Sequence, residues 1–228
     1  MKVCSGKLFE MSENPNSFTF EVELPKKSTY SSFSRPKASL KLFYDQQLGE
    51  SYPIPVACGK KLLSDAKGVN IQTRDQLFSL FNQICLDEAY QYVVGIFAKR
   101  DYSSLEIQQK LSLRGYRQQT IDATLDKIKS IGLLSDTRFA ESYIRAKISC
   151  GWGSYKISRS LGLKGIDVQD IDGWPDQYFE DEVSRALSIL QHRTVPEKNP
   201  YEKCVRRLVS KGFSISDAKA ATKAFLED

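Results

Sequence analysis

Histidine is nearly absent from this chain: His192 is the only one in 228 residues. No Ser or Cys is tied to it by a known motif, so a nucleophile–base pair has little to build on. Neither G-x-x-x-x-G-K-[ST] nor G-x-G-x-x-G occurs, which removes the usual phosphate-cradling loops. The five cysteines, Cys4, Cys58, Cys85, Cys150 and Cys204, are dispersed and contain no C-x-x-C pair. That distribution argues against a disulfide framework or a zinc site and for reduced thiols in a cytosol. Long hydrophobic runs are missing too. A stretch such as "YVVGIFA" falls far below the ~20 residues needed to span a bilayer. The start, "MKVCSGKLFEMSEN", lacks the apolar core of a signal peptide. Together these absences predict a cytoplasmic, non-enzymatic chain with no cofactor and no metal. Asp170, Asp172 and Asp176 could hold Mg²⁺ for a nuclease, but a solvated acidic turn with helix caps accounts for them more cheaply.

What is present is ordinary globular material, with 41% apolar and 27% charged residues, enough to build a core. Thirty-three basic against twenty-eight acidic residues leave a net charge of +5, compatible with nucleic acid but not diagnostic of it. The first part of the chain has period two. In "NSFTFEVEL" (16–24), Phe18, Phe20, Val22 and Leu24 alternate with Thr19, Glu21 and Glu23, and "ASLKLFYD" (38–45) repeats the pattern. "SYPIPVAC" (51–58) reads as extended, and Pro53 and Pro55 assign it to a sheet edge. The Ser-rich basic segment "PKKSTYSSFSRPK" between the first two strands is long for a hairpin, and reads as a mobile linker or as a contact surface.

From residue 73 the period becomes helical. Thr73 and Gln76 have capping-box spacing ahead of Leu77, Leu80, Phe81 and Ile84, which predicts a helix over 74–84. A second stripe runs from Leu86 to Phe97. Ser103 and Glu106 repeat the capping-box spacing. The stretches "LSLRGY" (111–116), "LGLKGI" (161–166) and "LVSKGF" (208–213) share a pattern of Leu, two residues, a base, Gly and a large apolar residue, with glycine spacings of 50 and 47. Each fits a helix end: Leu in the core, the base at the negative end of the dipole, Gly in the left-handed cap and the apolar residue packed back. A unit of ~45 residues is too small to be stable alone, so three such units should stack. The expected fold is mainly α: a tandem array of three three-helix repeats, elongated and curved, with a small antiparallel β-containing N-terminal extension. The boundaries predicted are 1–72 for the extension, 73–132 for the lead helix and repeat 1, 133–175 for repeat 2 and 176–228 for repeat 3. Gly173 and Pro175 should cut short the third helix of repeat 2.

"GLLSDTRFAESYIRAKISCGWGSYKISRSLGLKGI" (132–166) resembles the central signature of the RecX regulatory family. The matching positions include Gly132, Leu133, Leu134, Asp136, Arg138, Phe139, Ala140, Tyr143, Gly153, Lys156, Leu161, Lys164 and Gly165. Upstream, "AKRDYSSLEIQQKLSLRGY" resembles the family's first repeat, and "CVRRLVSKGFSISDAKAATKAF" its third. The resemblance covers residues 86–227. It implies a monomeric, non-enzymatic regulator that binds RecA and RecA–single-stranded DNA filaments along the filament groove. It further implies limits on filament growth, ATPase, strand exchange and co-protease activity, and so on recombination and the SOS response.

Charge is segregated along the chain. Residues 145–166 carry five bases and no acid, and residues 167–182 carry seven acids and no base. Residues 185–211 are basic again, with seven bases against two acids. The candidate partner- and DNA-binding set is Arg138, Arg145, Lys147, Lys156, Arg159, Lys164, Arg206, Arg207 and Lys211, with weak direct DNA binding added to protein contact. A solvated helical face is the bland alternative. Trp152 could be a stacking platform or a plug between helices. Two other functions stay open: a DNA-binding module of helix-turn-helix-like repeats acting without RecA, and a helical-repeat interaction scaffold.

Overall fold

The computed structural model describes residues 18–25, 36–192, 194 and 197–227. Cys4, the amino-terminal stretch and most of the Ser-rich segment lie outside the described residues. Spatial contact divides the chain into two compact units. One holds the chain up to Arg100 together with Glu106–Leu134; the other holds Asp101–Leu105 and the chain from Ser135 onward.

The first unit is built on a three-stranded antiparallel sheet in the order β1 (Phe18–Glu23), β2 (Ala38–Tyr44), β3 (Gln47–Ile54). Period two places Phe20 opposite Leu42 and Val22 opposite Leu40, so β1 and β2 share one apolar face. Val22, Ala38, Leu40, Leu42 and Ile54 are buried there. Asp45 and Gln46 both take positive φ, the geometry of a tight hairpin whose twist matches the strands. β3 is an edge strand and carries Pro53, as a ladder requires.

Two expectations are corrected in this unit. The extended segment ends at Ile54, and Val56–Cys58 are helical, opening α1 (Val56–Asp65). Local propensity hid this helix, because Gly59 stands in its middle. Gly59 is there for contact: a Cβ would lie 3.1 Å from Val22 and 3.2 Å from Ala38, so its absence lets α1 lie directly on the sheet. Next, the lead helix and the following stripe form one helix, α2 (Arg74–Phe97), capped by the Thr73/Gln76 box. No helix breaker stands at the junction, and Leu77, Phe81, Ile84, Cys85, Ala89 and Val93 continue a single buried face. α3 (Ser104–Leu113) and α4 (Gln118–Ser130) follow, and α4 packs on α2.

The second unit contains α5 (Asp136–Ser149), α6 (Ser154–Gly162), α7 (Glu182–Gln191), α8 (Pro200–Lys211) and α9 (Ile215–Glu227). Phe139, Ala140, Ile144, Ile157, Leu161, Ile166, Val168 and Ile171 make one core cluster. Ala186, Leu190, Cys204, Leu208, Phe213, Ala218 and Ala221 make another. Between α6 and α7 a 3₁₀ turn, Val168–Asp170, stands where a third helix would continue. Gly173 takes positive φ, and Trp174, Tyr178 and Phe179 close over the core instead. The break expected at Gly173 and Pro175 is therefore present.

The repeated Leu-to-Gly motif has one geometry at all three sites. Gly115, Gly165 and Gly212 take positive φ. Tyr116, Ile166 and Phe213 donate their N–H groups back to Leu111, Leu161 and Leu208 at 3.3, 3.1 and 3.2 Å. This is the Schellman closure, in which an apolar residue after the cap returns to the buried Leu a turn earlier. The last of these caps does more than end a helix. Gly153 N–H donates to Lys211 O at 3.0 Å, and Tyr155 N–H donates to Gly212 O at 3.1 Å. The unpaired donors opening α6 thus meet the unpaired acceptors closing α8. The approach is backbone on backbone: a Cβ on Gly153 would sit 2.4 Å from Gly212 O. Gly153→Ala should lower stability in urea by ~1–3 kcal/mol, the usual cost of overpacking. Gly162→Ala, whose Cβ would meet nothing within 4 Å, should leave stability unchanged or slightly raised.

Candidate binding face

The basic block maps to α5, α6 and the turn between them. α5 ends in a cap at Gly151, and Trp152 N–H returns to Lys147 O at 3.0 Å, which fixes Trp152 beside the helix it follows. Phe139 and Tyr143, one turn apart on α5, stack with ring centroids 5.8 Å apart. Phe139, Tyr143 and Trp152 thereby supply aromatic faces along one side of the unit. Lysines lie on these faces. Lys164 is 5.7 Å from the Phe139 centroid and 5.5 Å from that of Tyr143. Lys147 is 5.1 Å from Tyr143 and 4.8 Å from Trp152. Lys156 is 4.5 Å from Trp152 and donates to Ser210 O at 3.3 Å. Each such contact is worth ~0.5–1 kcal/mol at a solvated site. Their larger effect is to hold the ammonium groups in place against the rings. Tyr143 and Ser160 hydroxyls hydrogen-bond across α5 and α6, which fixes the row of Lys156, Ser160 and Lys164 against the rings.

The other predicted residues are placed less closely. Arg145 is exposed and pairs with Glu141 one turn back at 3.4 Å. Arg138 is exposed in the first turn of α5, where its N–H donates to Ser135 Oγ. Lys211 is half-buried at the end of α8, near Gly151. Arg206 and Arg207 are exposed on α8. Arg159 is exposed on α6 and lines a groove with Lys156.

That groove, of about 490 Å³, runs between α6 and the end of α8. Trp152, Tyr155, Leu163 and Val209 form its apolar lining. Sequence reasoning missed Tyr155, Leu163 and Val209, which are 68%, 76% and 40% exposed. A signal existed: Tyr155, Arg159 and Leu163 fall at i, i+4 and i+8, off the face that buries Ile157 and Leu161. A helix apolar on two faces has a second surface to cover. Trp152 proves to be both plug and wall, half-buried against the α5–α6 core while lining the groove.

Beneath the groove, Glu182 and Arg185 tie α7 to the start of α6. Glu182 accepts from Ser154 N–H at 2.9 Å and from its hydroxyl at 3.0 Å. Arg185 donates to Trp152 O at 2.9 Å and lies over the Phe179 and Phe213 rings. Burial lowers the Arg185 pKa, while the charge of Glu182 opposes that shift. Among the described residues, no group of three or more His, Cys, Asp or Glu is placed to hold a metal, and no helix is long and apolar enough to cross a membrane. Asp170, Asp172 and Asp176 are exposed, and Asp167 caps the 3₁₀ turn through Gln169 N–H.

A family profile described as "RecX, second three-helix domain" matches residues 135–173. "Regulatory protein RecX" of Chromohalobacter salexigens is 32% identical over 131 residues, which cover 56% of this chain and 86% of that protein. "Regulatory protein RecX" of Vibrio vulnificus is 30% identical over 141 residues, covering 60% and 90%. A "crystal structure of regulatory protein RecX" aligns with a TM-score of 0.55 at 18% identity, over 93% of this chain and all of that one. A "crystal structure of RecX from Lactobacillus salivarius" aligns at 0.52 and 19%, over 63% and 98%. These two share the fold. For the tie beneath the groove, Glu182→Ala should cost ~1–3 kcal/mol, because it leaves Ser154 N–H without its acceptor. Urea unfolding followed by tryptophan fluorescence measures this.

Proposed function

Because this chain belongs to the RecX family of regulatory proteins, we propose that it binds RecA and RecA–single-stranded DNA filaments and limits their growth. ATPase, strand exchange and co-protease activity fall as a consequence. On this reading the chain regulates and does not catalyse. We further propose that its helices act as three triplets following residues 1–72, over 73–132, 133–175 and 176–228. The binding set is Arg138, Arg145, Lys147, Lys156, Arg159, Lys164, Arg206, Arg207 and Lys211.

One observation carries the reading. Lys147, Lys156 and Lys164 are fixed over aromatic faces, and Arg159 stands exposed beside them. An ordered positive surface of this kind attracts phosphates and acidic side chains without first losing much side-chain freedom. Aromatic edges add contact area of the type that anchors interfaces. Binding along a filament would use both the protein lattice and the DNA it carries.

The test is RecA's single-strand-dependent ATPase with this protein added below stoichiometry. Inhibition is expected, with only weak binding to DNA alone. Tight DNA binding that merely competes with RecA would point to a module acting without RecA, and neither effect would leave a scaffold. Reversing Lys156 and Arg159 together to Glu should weaken inhibition by about tenfold, with circular dichroism unchanged. Undiminished inhibition would remove this patch from the site. If ~5 phosphates are neutralised on single strands, the log–log dependence of binding on salt should have a slope near ~−3.5.

A further inference from the structure

We propose that the groove between α6 and α8 is a docking slot for an acidic protein segment that inserts one or two large apolar side chains. The inference rests on the basic face being a binding site, and it names the class of partner that this part of the face takes. Trp152, Tyr155, Leu163 and Val209 give the slot its apolar lining, and Lys156 and Arg159 stand on it as cations. Among the described residues, no carboxylate lines it. Leu163 and Val209 remain 76% and 40% exposed, although α6 and α8 each bury another face in a core cluster. Exposed aliphatic residues beside an aromatic pair are the makings of an anchor pocket rather than of a solvated surface.

Charge complementarity selects an acidic occupant, and the lining selects a peptide over a nucleic acid. Single strands bind along continuous cationic tracks with rings on which successive bases stack. Here an aliphatic residue stands on each helix, Leu163 at the end of α6 and Val209 on α8. The volume of about 490 Å³ suits a few side chains. Along α6, Tyr155, Arg159 and Leu163 alternate apolar, cationic and apolar over ~12 Å. An incoming segment with apolar residues flanking an acid would match that row.

The experiment uses the full chain and three fluorescein-labelled probes. These are an Asp/Glu-rich peptide containing Phe and Leu, the same peptide with Ser at those two positions, and oligothymidylate. Fluorescence anisotropy should show the first peptide binding at least about tenfold more tightly than the second. Leu163→Glu and Val209→Glu should each weaken it by about tenfold. Lys219→Glu, an exposed change on α9, should leave it unaltered. Circular dichroism on every variant separates lost binding from lost folding. The proposal is overturned if neither peptide binds, if both bind equally, or if Leu163→Glu has no effect. It is also overturned if oligothymidylate, rather than peptide, loses affinity in Leu163→Glu. Inhibition of RecA by the unaltered chain is read separately. Inhibition without peptide binding removes the slot and leaves the regulatory reading; peptide binding without inhibition does the reverse.

Discussion

Two backbone hydrogen bonds between the end of α8 and the start of α6 organise the unit that carries the basic block. Every helix leaves donors unpaired at its beginning and acceptors unpaired at its end, and burying either alone is costly. Here Lys211 and Gly212 carbonyls take the N–H groups of Gly153 and Tyr155, so both ends are buried at once. The two helix dipoles meet with opposite ends together, which adds to the attraction. Such an approach needs glycine on both sides, because a Cβ on Gly212 would lie 2.3 Å from Lys156 Cβ. Glu182 then takes the next donor, Ser154 N–H, and brings α7 to the same point. The groove is the space left where α6 and α8 diverge from this junction.

The same device occurs once more in that unit, in altered form. Ser103 Oγ donates to Lys164 O at 2.8 Å, and Ser104 N–H donates to Asp136 Oδ1 at 2.8 Å. Leu105 closes on Gly165, where a Cβ would lie 2.8 Å from its own. Asp136 and Glu182 occupy the first positions of α5 and α7 and each accepts from a serine N–H. At the end of α8 the Leu-x-x-base-Gly motif is therefore both a helix end and a socket, with Gly212 serving the left-handed cap and the close approach of the α6 backbone together. At Gly165 and Gly115 the nearest neighbours are side chains, those of Leu105 and Lys37.

Most of the helical half was legible because its signals are local. Capping boxes, cap glycines and a 3.6-residue apolar period act over a turn or two, and Thr73, Gly115, Gly165 and Gly212 stand where they were expected. α1 was not legible. Gly59 argues against a helix locally and is justified only by the sheet beneath it. Nor was the groove, since Tyr155 and Leu163 on α6 mean little until Val209 on α8 faces them.

The amino-acid order alone thus determined the three glycine-capped helix ends, the hairpin face of the sheet, the break at Gly173 and the segregation of charge. Each depends on neighbours within a few positions along the chain. Tertiary structure alone decided which cations would be held on aromatic rings and which would stay in solvent. It placed Lys147, Lys156 and Lys164 on Tyr143, Trp152 and Phe139, left Arg206 and Arg207 exposed on α8, and set Lys211 beside Gly151. Charge can be counted along a sequence, but the position of an ammonium group over a ring is fixed by helix packing, which joins residues far apart in the chain.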